Sequence, residues 1–197
     1  MNNINDKSIN KCTSCQLCSA VCPTDAIKII LDEDGFYSPL INDNKCISCG
    51  ICKKYCYKYD NNIKMTSDTE SIKVYASQTK DKELLLASSS GGVATHIMKE
   101  CLRQGYKIIG VKYDTDLDIA IDCIAGNEEE IQTFKGSKYM QSYTEKAFKE
   151  LLKDKTEQKY AIFGTPCQIY AFSRYIKQSK NEDRFLLVDL FCHGCPS

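Results

Sequence analysis

Eight cysteines near the start of the chain fall into two runs of identical spacing, and no other feature so narrows what this sequence can fold into. Cys12, Cys15, Cys18 and Cys22 form the first run; Cys46, Cys49, Cys52 and Cys56 form the second. Both read C-x2-C-x2-C-x3-C. Three thiolates two residues apart, carried on a tight loop, can each reach a separate iron of one cubane cluster. The fourth lies three residues further on and points away, toward the other cluster. The spacing therefore predicts crossed ligation. Cys12, Cys15, Cys18 and Cys56 would hold one [4Fe–4S] centre, and Cys46, Cys49, Cys52 and Cys22 the other.

Such paired runs are the signature of bacterial-type two-cluster ferredoxins. Zinc and disulfides are the alternatives. A four-cysteine zinc site needs two C-x2-C pairs and has no use for a third cysteine in the same rhythm. Disulfides call for export, and the polar start Met1-Asn2-Asn3-Ile4-Asn5-Asp6-Lys7 has no apolar signal region. Pro23 follows the first run in the usual way. Tyr57 stands where the second run would carry its proline, which loosens a turn without removing a ligand.

Residues 1–64 are accordingly expected to form a small ferredoxin-like domain whose clusters serve as its interior. Within it, residues 26–31 read as a strand, 32–35 as a hairpin turn and 36–41 as the returning strand. Residues 58–71 are polar and lack periodicity, which marks a linker. Residues 71–197 then alternate. Strands are expected at 71–76, 106–113, 119–125, 159–163 and 185–191, the last of them buried. Helices are expected at 90–104, with Val93, Ile97 and Cys101 on its inner face and serines capping it, at 143–153, with Ala147, Leu151 and Leu152 inward, and at 166–178, opened by Pro166. Cys101 and Cys123 read as core residues, and His96, on a stripe with Glu100 and Arg103, faces solvent. The fold class is α+β: the two-cluster domain followed by a partial α/β domain. It is partial because the last strand runs into Cys192-His193-Gly194-Cys195-Pro196-Ser197, where a loop and helix should follow.

Lys+Arg and Asp+Glu both total 26, so no strong attraction to nucleic acid or to a membrane follows. No apolar stretch approaches the eighteen or so residues of a membrane span. Thirteen cysteines without a secretory signal imply a reducing, cytoplasmic setting.

Four further segments sit at strand and helix ends. Ser88-Ser89-Ser90-Gly91-Gly92 opens a helix, where free amides and glycines suit either a flavin phosphate or an ordinary serine-capped turn. Lys135-Gly136-Ser137-Lys138-Tyr139-Met140-Gln141-Ser142 suits an anionic cofactor or is a solvated basic loop. Gly164-Thr165-Pro166-Cys167-Gln168 puts a cysteine in the first turn of a helix, where a thiolate is favoured for metal ligation or covalent chemistry, unless it is structural. The last segment carries Cys192 and Cys195 in a C-x-x-C, with no following helix to make it a thioredoxin-like pair.

In this order, these segments resemble the beta-subunit family of coenzyme F-420 (F420) hydrogenases and dehydrogenases, F-420 being the 8-hydroxy-5-deazaflavin. The residues that carry the resemblance are Ser89 through Thr95, Lys135 through Tyr139 with Gln141-Ser142, Gly164 through Ile169, and Asp189 through Ser197. The resemblance implies an iron–sulfur, flavin-linked oxidoreductase subunit passing electrons between ferredoxin-type clusters and FAD, coenzyme F-420 as substrate, or another acceptor. Ser89, Ser90, Gly91, Gly92, Lys135, Ser137 and Lys138 would then lie near flavin. Cys167 and Cys192 would be candidates for the redox site or for a third [4Fe–4S] cluster. Cys195 departs from the family's aliphatic residue, and the family continues beyond the segment matching Ser197. The implied partner is a redox protein or the missing C-terminal half. The alternative is a non-catalytic electron-transfer or docking protein whose second domain is incomplete.

Overall fold

A computed structural model describes residues 2–5, 12–59, 72–179 and 182–194. Strands β1 (Ile27–Leu31) and β2 (Tyr37–Ile41) pair antiparallel, Ile27 opposite Ile41 and Leu31 opposite Tyr37. The Asp32 carboxylate closes their turn by accepting from the amides of Asp34 and Phe36 and the hydroxyl of Ser38. Gly35, at φ 80, supplies the left-handed residue that turn requires.

The repeat visible in the sequence is also a repeat of backbone. Helices α1 (Leu17–Ala20) and α2 (Ile51–Tyr55) each follow a left-handed residue, Gln16 at φ 59 and Gly50 at φ 76. Ser14 and Ser48 are left-handed as well, at φ 57 and φ 54. Two left-handed residues among three closely spaced cysteines curl each loop back on itself, so the cysteines face a common space.

The second sheet contains β3 (Tyr106–Asp114), β4 (Ile119–Ala125), β5 (Ser142–Tyr143), β6 (Lys159–Gly164) and β7 (Phe185–Asp189) in the order β5-β4-β3-β6-β7. Only the β3–β4 pair is antiparallel. Its central strands are covered on both faces, which is why they read as unbroken apolar runs. Ile108, Ala161 and Phe163 pack on Met98 and Cys101 of α4 (Val93–Arg103) and on Ile131 of α5 (Glu128–Gln132). Ile109 and Ile162 face the other way, toward Ala147, Phe148 and Leu151 of α6 (Glu145–Lys153) and Ile169, Ala171 and Phe172 of α7 (Pro166–Ser179). Cys15 and Leu17 of the cysteine-rich segment belong to that same core. The two expected domains thus share an interior, and their expected boundary, between residues 64 and 71, lies outside the described residues.

Several expectations are corrected. The strand expected at 71–76 is irregular over 72–76, and α3 (Lys82–Leu86) and α5 are additional helices. The helix expected from residue 90 starts at Val93, behind left-handed Gly92, with no serine cap. Its buried residues are Thr95, Met98 and Cys101, while Val93 and Ile97 are exposed. The difference is one of phase: the inner stripe is Ala94, Met98, Cys101 and Leu102, shifted one position round the helix. Residues 142–143 form β5, delaying α6 to Glu145. The last strand ends at Asp189 and is an edge strand of part-buried and exposed residues; Leu190 and Phe191 lie in solvent. Cys101 is buried as expected, whereas Cys123 is half-buried. His96 is exposed as expected, with its ring nitrogen 2.5 Å from the Thr79 hydroxyl.

Candidate iron–sulfur centres and their surroundings

Two cavities are each ringed by four cysteines. Cys12, Cys15, Cys18 and Cys56 line one, together with Ser14, Leu17, Ile29 and Tyr57. Cys22, Cys46, Cys49 and Cys52 line the other, with Pro23, Ile27 and Ile41. Each ring takes three cysteines from one run and the last cysteine of the other run. Among the described residues, no three Cys, His, Asp or Glu side chains converge on one point as a single ion would require. The thiols surround spaces instead, an arrangement suited to ligands that each take a different iron.

The electrostatics fit a metal-filled interior. Burial pushes the Cys15 thiol up to about 12 and the Cys18 thiol well above its ordinary value. Burial also raises Cys52 and Cys56. Thiols in such surroundings ionise when a cation shares the site, which is what iron provides. Cys46 moves the other way, because the Asn3 side-chain amide reaches its sulfur at 3.5 Å and favours the thiolate.

The first ring is fastened to the α/β sheet by one side chain in particular. Gln16 Oε1 accepts from the amides of Thr144 and Glu145, at 2.8 and 3.1 Å, while its Nε2 donates to the Ser142 carbonyl at 2.8 Å. It therefore supplies the helix cap that Thr144 lacks in its own side chain. Ser19 donates to Glu145 at 2.6 Å, and Lys149 bridges Glu145 and Asp25 at 2.8 and 2.7 Å. Burial pushes Glu145 up, but the bonds from Lys149, Ser19 and Tyr143 outweigh it and leave the carboxyl below its ordinary range. Tyr57, at the position of the missing proline, pairs its hydroxyl with Thr13 at 2.9 Å and sets its ring edge-on to Tyr170 of α7. A proline could make neither contact.

Cys167 lies against this ring, with its sulfur 3.9 Å from the Thr13 carbonyl and 3.3 Å from the Thr165 hydroxyl. Cys192 is exposed, its sulfur accepting only from the Gly194 amide among the described contacts. The two follow the carboxyl ends of neighbouring parallel strands, where Gly164 is paired with Asp189. Cys195 lies outside the described residues.

The two expected cofactor loops meet: the Ser137 amide donates to Ser89 Oγ at 3.0 Å. Ser89, Ser90 and Ser137 are exposed and Lys135 is half-buried. Other members of these loops have work inside the fold. A Cβ on Gly91 would lie 2.7 Å from the Ser77 carbonyl, so that glycine admits the chain's own backbone. At φ 71, Gly92 tolerates few side chains. Lys138 bends back to donate to the carbonyls of Phe134 and Lys135, at 2.9 and 2.8 Å, closing the end of the α5 segment.

One buried group escaped sequence reasoning. Asp122 on β4 is 6% exposed, and its Oδ1 has no hydrogen-bond partner among the described residues. Burial pushes its carboxyl up to about 7, against a hydrogen bond with Ser142 that favours the charged form. Ser142 in turn accepts from Gln168 Nε2 at 3.2 Å. Nothing in the alternating Ile-Ala-Ile-Asp-Cys-Ile-Ala pattern distinguishes this aspartate from a solvent-facing one.

Residues 11–59 match the model of the 4Fe-4S dicluster domain. Residues 74–149 match the N-terminal model, and 157–197 the C-terminal model, of the coenzyme F420 hydrogenase/dehydrogenase beta subunit. The chain belongs to that beta-subunit family. A curated relative in it is the coenzyme F420 hydrogenase subunit beta of Methanococcus voltae, 29% identical over 125 residues. That alignment covers 59% of this chain and 44% of the relative, so the chain spans less than half the relative's length. Among solved structures, a chain of the xenon-derivatised F420-reducing [NiFe] hydrogenase complex from Methanosarcina barkeri is similar at a TM-score of 0.49 and 24% identity, over 60% of this chain and 44% of that one. Among the described residues of this family member, no helix is long and apolar enough to cross a membrane.

Proposed function

We propose that this chain is an iron–sulfur electron-transfer subunit of an oxidoreductase, carrying two [4Fe–4S] clusters on crossed cysteine sets. The observation that carries the reading is the pair of four-cysteine rings, each completed by the last cysteine of the other run. Bound there, the clusters would supply one-electron transfer. The chain's own residues would hold the iron, shield it from water and, through local hydrogen bonds, set the potentials.

Exchange with FAD or coenzyme F420 belongs to the same proposal. It is supported by the family and by the meeting of Ser89 with Ser137 beside the N-terminal end of α4. Ser89, Ser90, Gly91, Gly92, Lys135 and Ser137 are its candidate contacts, with Lys138 shaping the loop. Cys167 and Cys192 are candidate redox residues, or ligands of a third cluster, because both follow neighbouring strand ends. The partner would be another redox protein, as the relative is named as a hydrogenase subunit. A reducing cytoplasm is the compartment proposed, since the described cysteines are all free thiols.

A second reading, electron transfer without catalysis on this chain, is favoured by the internal duties of Gly91 and Lys138. Anaerobic purification decides between them. Broad absorption near about 400 nm with about eight irons per chain establishes the clusters. Added flavin bands on titration with FAD establish the first reading, and no FAD uptake establishes the second. A colourless, zinc-bound protein overturns both.

A further inference from the structure

Ser14 and Ser48 hold the same place in the two halves, each just before the second cysteine of its run and each in a left-handed conformation. Their hydroxyls differ in fate. The Ser48 side chain is hydrogen-bonded to Cys46. Ser14 is 7% exposed, and its Oγ is buried with no hydrogen-bond partner among the described residues. The Ser14 amide is already committed to Cys12 Sγ at 3.3 Å. Neighbouring polar groups are committed too: the Thr13 hydroxyl to Tyr57, and the Gln16 amide to Ser142, Thr144 and Glu145.

Ser14 lines the cavity ringed by Cys12, Cys15, Cys18 and Cys56. Leaving a buried hydroxyl unpaired is unfavourable, so whatever fills that cavity should present an acceptor to it. A cubane cluster presents sulfur. We infer that the Ser14 hydroxyl donates a hydrogen bond to a sulfur of the cluster held by this ring, and thereby raises that cluster's reduction potential. The inference rests on the two-cluster reading. Reduction adds one negative charge, part of which falls on sulfur, and a fixed donor stabilises that state more than the oxidised one. No bond is made or broken; only the balance between the two redox states moves. Ser14 is thus a positioning and tuning residue rather than a ligand.

The test is a reductive titration of the full chain, reconstituted anaerobically and followed by electron paramagnetic resonance, with iron counted in each sample. Ser14→Ala should keep its iron and shift one centre to lower potential while the other stays in place. Ser14→Gly also lacks the hydroxyl and accepts the left-handed backbone, so it should show the same shift even where alanine impairs assembly. Ser48→Ala should leave the Ser14-sensitive centre unmoved. Unchanged potentials in an iron-replete Ser14 variant overturn the inference, as does a shift of the same centre by Ser48→Ala. Failure of the unmodified chain to take up iron is a separate outcome, and overturns the cluster reading itself.

Discussion

The two cysteine rings have one spacing, similar backbone turns and the same range of exposure, each with one buried and one exposed cysteine, yet they are embedded differently. The ring of Cys12, Cys15, Cys18 and Cys56 is backed by the α/β sheet, with Cys15 and Leu17 in a core that includes Phe148 and Phe172. The ring of Cys22, Cys46, Cys49 and Cys52 is backed by a small cluster of Ile27 and Ile41 of its own hairpin with Ile4 packed against it. A duplicated motif thus yields one ring on the inner side of the molecule and one on the outer. What separates them is the identity of the neighbours rather than the amount of solvent they meet.

The sharpest way to break that comparison is to alter the buried cysteine of each ring. Cys15→Ser and Cys52→Ser should each remove about half of the bound iron, about four per chain. Only Cys15→Ser should also lower the unfolding midpoint of the α/β domain, read by circular dichroism, because Cys15 is part of that domain's core. Equal effects on unfolding would erase the distinction.

Gln16 and Gly50 occupy matching left-handed positions, and their substitution should differ next most strongly. Gln16→Ala leaves two amides and a carbonyl without their partner, and should cost about 2–4 kcal/mol in denaturant unfolding. Gly50→Ala meets only the movable end of the Asn2 side chain and should cost about 1 kcal/mol, mainly through its backbone conformation. A larger loss at Gly50 would mean that the inner ring is not fastened through Gln16.

The polar cluster behind the inner ring should carry a pH signature. Asp122 has a folded-state value raised to about 7, so its contribution is most favourable below its unfolded value and is lost as pH rises through about 7. Asp122→Asn does not titrate. The stability difference should therefore move in the variant's favour by about 1–3 kcal/mol as pH rises from about 5 to about 7, then level off. A flat difference across that range would show that the carboxyl is not held neutral.

The smallest effect should come from the exposed end of the interface. Asp25→Asn loses the ion pair to Lys149, but Lys149 keeps Glu145, and pairs at such exposure are worth little. The expected cost is below about 0.5 kcal/mol, lower still at high salt. A loss comparable to that of Gln16→Ala would shift the weight of the domain contact to its rim.

Much of the site was legible because the grouping of the cysteines is written in their local spacing, and the two crossed rings follow that spacing. The central strands were legible for a similar reason, as unbroken apolar runs announce a covered sheet. Helix phase was harder. The stripe through Val93 and Ile97 competes with one through Ala94 and Met98, and only the position of α4 against β3 selects between them. The motifs at Gly91, Gly92 and Lys138 fit either a ligand loop or an ordinary turn and basic loop. In the fold Gly91 faces the Ser77 carbonyl, Gly92 the side chains of Thr79, Ser88 and Leu84, and Lys138 the carbonyls of Phe134 and Lys135, which no motif reveals.

By itself, the sequence determined which cysteines act together, where the main strands and helices run, and which family the chain resembles, since all of these rest on short-range spacing and order. The tertiary structure alone decided that the two domains share a core, that Gln16 caps a helix more than a hundred residues away, and that Ser14 and Asp122 are buried short of partners. Those are consequences of which surfaces meet. Polar residues such as these look alike in a sequence until packing removes the water from some of them.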